Sequence, residues 1–296
     1  MKTGGEVFAL LTALCWTVTA LSFESATKKV GTLVVNIIRL AFALVFLSLI
    51  NTVILHEAFP FSAGRHQWIW LSLSGLVGFV IGDYFLFKSY LFISSRISML
   101  IMTLVPPVTM IFGFLFLNEK MLFKDITGML LVVGGISITI LNRQGNNNQI
   151  KLKHPLKGLF YAFLGALGQA FGLILSKYGM QNYDAFASTQ IRTITGLAGF
   201  ALIVTLMGKW KNVIQAFSNK AAMKGIATGS VFGPFLGVSF SLMAVQRTNT
   251  GVASTLMALV PVLIIIPLVL FYKQKIRLIE IAGAVVSVLG AALLFF

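Results

Sequence analysis

Displaced by 155 residues, the chain lies on itself without a gap. Gly78 and Gly82 fall on Gly233 and Gly237, and Met102, Leu104, Val105 and Pro106 fall on Met257, Leu259, Val260 and Pro261. Lys120, Gly128 and Gly135 meet Lys275, Gly283 and Gly290. A displacement of 153 residues brings Gly5, Ala9, Ala13, Ile38 and Arg39 onto Gly158, Ala162, Ala166, Ile191 and Arg192. Apolar coincidences between two greasy helices carry little information. Shared glycines, a shared proline and a shared arginine carry much more, and they require two copies of one structural unit.

That unit lies in a membrane. Hydrophobic residues make up 57% of the 296 and charged residues only 10%, against about 25% in a soluble domain. Disordered, fibrous and disulfide-framework chains are excluded, and the single Cys15 cannot form an internal bridge. Crossing a hydrocarbon core of about 30 Å takes about 20 helical residues. Apolar runs of that length occur at 6–24, 31–53, 67–88, 95–117 and 124–141, then at 157–177, 184–207, 221–245, 250–271 and 278–296. The expected fold is all-α and integral to the membrane, with ten transmembrane helices. The expected units are 1–141 and 157–296, joined by a polar linker, 142–156, that contains Asn146-Asn147-Asn148. The first run has a counterpart in the second unit and no small-residue cleavage site, which argues against a signal peptide. Five helices per unit is an odd number, so the second copy enters the membrane in the opposite sense. Inverted repeats of this kind build secondary transporters, with the substrate between the halves near the midplane.

Several motifs, in order and twice over, resemble the EamA-type carriers of the drug/metabolite transporter superfamily. They are Ile38-Arg39-Leu40-Ala41, Leu104-Val105-Pro106, Leu117-Asn118-Glu119-Lys120 and Gly128 through Gly135 in the first unit. Ile191-Arg192, Leu259-Val260-Pro261 and Gly283 through Gly290 repeat the pattern, with Gln274 where the first unit has Glu119. The resemblance implies a ten-helix fold whose central cavity is lined mainly by spans 1, 3, 4, 6, 8 and 9. It also implies transport of small organic metabolites such as amino acids, with export favoured over import. A facilitative carrier of sugar or nucleoside-like solutes is the alternative.

Ionisable groups inside a bilayer are costly and therefore candidates for function. Arg39, Asp83 and Arg192 lie well inside spans, whereas Glu6, Glu24, Lys88, Arg96, Lys177 and Asp184 lie near helix ends, where side chains reach water. A guanidinium binds a carboxylate through two parallel hydrogen bonds, so Arg39 and Arg192 are candidate substrate anchors. Tying down an internal acid is their structural alternative. Asp83 has no acidic repeat mate, because Val238 takes that place. It is the candidate for proton coupling or for holding a substrate amine, with a fixed pair to either arginine as the competing role. Trp16 and its mate Gln169, and Tyr84 and its mate Ser239, complete the candidate substrate-binding set. Pro106 and Pro261 bend the fourth and ninth spans and are candidate hinges. Gly78, Gly82, Gly229, Gly233 and Gly237 have the four-residue spacing of helix packing faces.

An enzyme is not expected. Gly82-Asp83 and Tyr183-Asp184 superficially resemble the aspartate motifs of an intramembrane protease, but Asp184 sits at a helix end and the motifs come in the wrong order. His56, His66 and His154 all fall outside the spans, and no metal or cofactor motif is present. A channel would want rings of like charge or a filter loop. The expected partners are a small-molecule substrate and the lipid bilayer, with no nucleic acid, and the expected assembly is a monomer or homodimer. The expected location is the cell membrane, as the plasma membrane of a prokaryote. Outside the deep spans, six Lys and Arg lie on the side of the termini and fifteen on the side of the linker. The positive-inside rule places the linker in the cytoplasm; the resemblance implies the reverse.

Overall fold

A computed structural model describes residues 4–120, 122–141, 155–265 and 278–294, and every regular element in them is helical. The first unit contributes α1 (Gly4–Val30), α2 (Thr32–Ile54), α3 (Arg65–Ser89), α4 (Ser95–Met102 and Val105–Leu117) and α5 (Phe123–Leu141). The second contributes α6 (Leu156–Met180), α7 (Ala185–Leu206), a short connecting helix (Trp210–Ala216), α8 (Lys220–Arg247), α9 (Thr250–Met257 and Val260–Leu263) and α10 (Leu278–Leu293). Seven of these, α1 to α4 and α6 to α8, are long and apolar enough to cross a membrane. In α9 and α10 the apolar stretches Thr250–Leu263 and Ile281–Leu293 are shorter. The expected spans 250–271 and 278–296 run partly outside the described residues. So do most of the linker, Pro267 and Gln274.

Local chemistry sets where these helices start and break. Gly31 joins α1 to α2 with φ +86°, a backbone conformation that side-chain-bearing residues rarely adopt. Helix α4 breaks at Thr103-Leu104, and α9 breaks at Ala258-Leu259, one repeat further on. Pro106 lacks the N–H that would bond the Met102 carbonyl, and Pro261 lacks the one for Met257. Each proline lies in the first turn of the following segment, where a missing donor costs little. In α3 and α8 the helix loosens into π-turns, Leu76–Asp83 and Val231–Phe235, which also begin at repeat-equivalent positions.

The two units meet through glycine. A Cβ at Gly168 of α6 would sit 2.5 Å from the Cα of Gly82 in α3, and one at Gly172 would sit 2.8 Å from the Cα of Gly78. The backbones of α3 and α6 therefore touch, and this seam sets Asp83 beside Gln169. Gly229, Gly233 and Gly237 pack α8 against Phe23, Thr19 and Trp16 of α1, as the four-residue spacing leads one to expect. Apolar side chains such as Leu49, Phe116, Leu202 and Leu289 remain exposed on the outside, as lipid contact requires.

A cavity between the repeats as the candidate substrate site

A cavity of about 110 Å³ lies between the two units. Its wall comes from α1, α3, α4, α6, α8 and α9, with Arg39 of α2 and Arg192 of α7 reaching in. Of the residues singled out from sequence, Trp16, Arg39, Asp83, Gln169, Arg192 and Pro261 line it.

Arg39 Nη2 donates to Asp83 Oδ2 at 2.5 Å, and its Nε donates to Asn36 Oδ1 at 3.0 Å. Its guanidinium lies over the rings of Phe23, Phe79 and Phe87, the nearest centroid at 4.8 Å. Desolvated contacts of this type are each worth about 2 kcal/mol. The second carboxylate oxygen of Asp83 accepts from Gln169 Nε2 at 2.5 Å, and that nitrogen also reaches the Gly78 carbonyl at 3.2 Å. Asp83 is thus held from both repeats, with both oxygens occupied.

Arg192 is different. It is 3% exposed, yet its Nε has no hydrogen-bond partner, and it forms no salt bridge among the described residues. Its guanidinium lies 4.9 Å from the centroid of Phe79, whose ring is shared with Arg39 at 5.6 Å. Gly78 makes the space: a Cβ there would fall 2.9 Å from Arg192 Nη2. The repeat mate of Asp83 is Val238, which lines the same cavity as an apolar side chain. One arginine is paired within the protein and its twin is not.

Two of the candidate substrate-binding residues fall outside the cavity. Tyr84 packs on Phe85, with ring centroids 5.4 Å apart, and its hydroxyl accepts from Lys88 Nζ at 3.4 Å. Ser239 is fully buried and returns its hydroxyl to the Phe235 carbonyl at 2.6 Å. Each follows a cavity-lining residue, Asp83 or Val238, by one position, and one helical step turns a side chain about 100° round the axis. Pro106 is buried but does not line the cavity. Phe79, Phe87 and Tyr90 were not among the candidates, because in a chain with 26 phenylalanines an aromatic in a span carries no signal by itself.

Ionisable groups at the helix ends are more engaged than a solvated end requires. Glu119, at the end of α4, accepts from Lys177 Nζ of α6 at 2.6 Å, and Lys177 also donates to the Thr248 carbonyl at 2.7 Å. Glu6 accepts from the Thr248 hydroxyl at 3.0 Å, and Glu24 accepts from the Ser95 hydroxyl at 2.5 Å. Asp184 accepts from the N–H groups of Phe186 and Ala187 and caps α7. This capping role accounts for Asp184 without an aspartate pair.

A duplicated helical unit, apolar on the outside and enclosing a charged cavity, defines an integral membrane protein of the solute-transporting class. The model of the EamA-like transporter family matches the chain twice, over residues 3–141 and 156–296. The chain belongs to that family, within the drug/metabolite transporter superfamily, whose members are membrane transporters of small solutes. A chain from a solved crystal structure, described only as a protein, is similar in fold with a TM-score of 0.69 at 16% identity. The match covers 99% of this chain and 96% of that one. None of the curated proteins matches the chain.

Proposed function

We propose that this protein is a secondary carrier with ten spans, built as two oppositely inserted five-helix repeats and working by alternating access. Its substrates are small organic metabolites, amino acids or related carboxylates, and its working direction is export from a prokaryotic cell across the plasma membrane. The observation that carries the reading is the cavity between the repeats, in which a buried arginine, Arg192, has no carboxylate partner. A site with an apolar wall and a few placed polar groups suits a small organic solute. Helices broken at repeat-equivalent prolines beside that site are a recurring feature of inverted-repeat carriers. Trp16, Arg39, Asp83, Gln169 and Arg192 form the substrate chamber in this reading, and Pro106 and Pro261 serve as hinges.

The test is transport by the purified protein in vesicles, against a panel of amino acids, carboxylates, sugars and nucleosides. Saturable flux with exchange of labelled for unlabelled solute is the expected result. Flux that rises linearly with concentration and shows no exchange would sink the carrier reading. Flux confined to sugars or nucleosides would sink the carboxylate assignment.

A further inference from the structure

We infer that the cavity takes a monoanion, a carboxylate whose charge is not cancelled by an ammonium group on the same molecule. The inference rests on the carrier reading above and narrows its substrate class. It starts from the broken symmetry of the repeat. The titratable side chains that line the cavity are Arg39, Asp83, Tyr90 and Arg192. Arg39 and Asp83 cancel each other through their salt bridge. What remains is one buried cation, Arg192, facing a wall made mainly of Phe79, Phe87, Leu173, Val238, Met257 and Pro261.

A buried charge without a partner is expensive, and a ligand carboxylate removes that cost by supplying the partner. In the first unit Asp83 supplies it from α3. In the second unit the equivalent position is Val238, and the ligand's carboxylate takes the acid's place. Phe79, stacked on both guanidinium groups, sets the paired and the unpaired arginine on a common ring.

An α-ammonium has no such welcome. Asp83 is the only carboxylate in the cavity wall, and both its oxygens are taken, by Arg39 and by Gln169. A zwitterion would bury its cation against aromatic and aliphatic side chains without an ionic partner. The volume, about 110 Å³, is of the order of a cavity that holds one benzene ring, and it suits a carboxylate with a short branched or aromatic tail.

The experiment uses the full chain, purified and placed in nanodiscs, with three probes of equal skeleton: 4-methylpentanoate, 4-methyl-2-oxopentanoate and leucine. Calorimetric titration is expected to show both acids binding at least about tenfold more tightly than leucine, a preference of about 1.4 kcal/mol. Leucine binding as tightly as 4-methylpentanoate overturns the inference. Two variants locate the site. Arg192→Gln removes the cation, and Val238→Asp gives Arg192 an internal partner while leaving Arg192 in place. Both are expected to lose acid binding by at least about tenfold. If Arg192→Gln does not fold, Val238→Asp decides alone, and unchanged acid binding in a monodisperse Val238→Asp protein overturns the assignment. Vesicles that move a neutral solute but neither acid overturn this inference and leave the carrier reading standing. Vesicles that move no solute of the full panel overturn both.

Discussion

Glu119 accepts hydrogen bonds from the backbone N–H of Thr250 at 2.9 Å and from its hydroxyl at 2.7 Å, so a carboxylate at the end of α4 caps the start of α9 in the other unit. The local residue placed to cap that helix, Asn249, makes no such bond and donates instead to the Lys120 carbonyl at 2.9 Å. With Lys177 on its other oxygen, Glu119 ties α4, α6 and α9 together on the side of the termini. The repeat mates of Lys177 and Thr250 are Glu24 and Ser95, joined near the opposite ends of α1 and α4 by a single hydrogen bond. The two ends of the molecule are therefore fastened with unequal strength.

Replacing Glu119 with alanine leaves Lys177 without its ion pair and α9 without its cap. The side chains of Glu119 and Lys177 are 8% and 22% exposed, and removing one partner of such a pair costs about 3 kcal/mol. The expected outcome is a large loss of thermal stability in detergent, with Glu119→Gln intermediate because the amide oxygen still accepts from Thr250. Equal melting temperatures for the two variants would show that the cap, and not the ion pair, carries the effect.

Asp83 carries the proton if transport is proton-linked. A carboxylate held by Arg39 and Gln169 exchanges a proton only in a state in which those partners release it, and alternating access supplies such a state. Asp83→Asn is expected to abolish pH-driven flux and to spare substrate exchange. Persistence of pH-driven flux in this variant would assign Asp83 to fixed pairing alone.

The seam between α3 and α6 leaves no room for a side chain. Gly168→Val is expected to cost about 1–3 kcal/mol through overpacking against Gly82 and to lower the yield of folded protein. Gly134→Ala is the control, since nothing lies within 4 Å of a Cβ there. It should be neutral or stabilise by about 0.5–1 kcal/mol. Similar losses in both variants, read from thermal unfolding, would contradict the close contact.

Pro261→Ala restores the N–H that can bond the Met257 carbonyl and stiffens the break in α9, and Pro106→Ala does the same in α4. If these breaks are hinges, exchange slows while equilibrium binding stays the same. A barrier raised by about 1.4 kcal/mol slows turnover about tenfold. Unchanged exchange rates in both variants would remove the hinge role.

Fifteen basic residues on the linker side against six on the side of the termini favour a cytoplasmic linker. A reporter active only in the cytoplasm, fused after Phe296, is therefore expected to be silent. Activity would place the termini inside, as the family resemblance implies.

Much of this arrangement could be read before any coordinates. The repeat, the family and the three intramembrane charges came from glycine, proline and arginine, residue types too costly or too special to recur by chance in a membrane. Three things could not be read. Nothing in the sequence says which arginine Asp83 takes, because that depends on how α2, α3 and α7 cross. Tyr84 and Ser239 looked as promising as their neighbours, because a list of polar residues in spans ignores the helical step that turns them away. The part of Phe79 is invisible among so many phenylalanines until two guanidinium groups are seen on its ring. The helix-end groups misled in a further way. Lys177 and Glu119 lie 58 residues apart, and only the packing of α6 against α4 makes them partners.

The π-turns of α3 and α8 bear on how these two helices tolerate change in length. A π-turn accommodates an extra residue within an otherwise α-helical path. Removing one residue from Leu76–Asp83 lets the segment relax to α-geometry, but everything beyond it then rotates by about 100°. Asp83, Phe87 and Tyr90 would swing off the cavity together, while Gly78 and the residues before it kept their register. A shortened α3 would still insert as a helix and still pass a hydropathy test, yet it would present lipid-facing side chains to Arg39. Homologues that align with α3 only through a one-residue gap in this stretch should therefore have a different chamber, whatever their overall similarity.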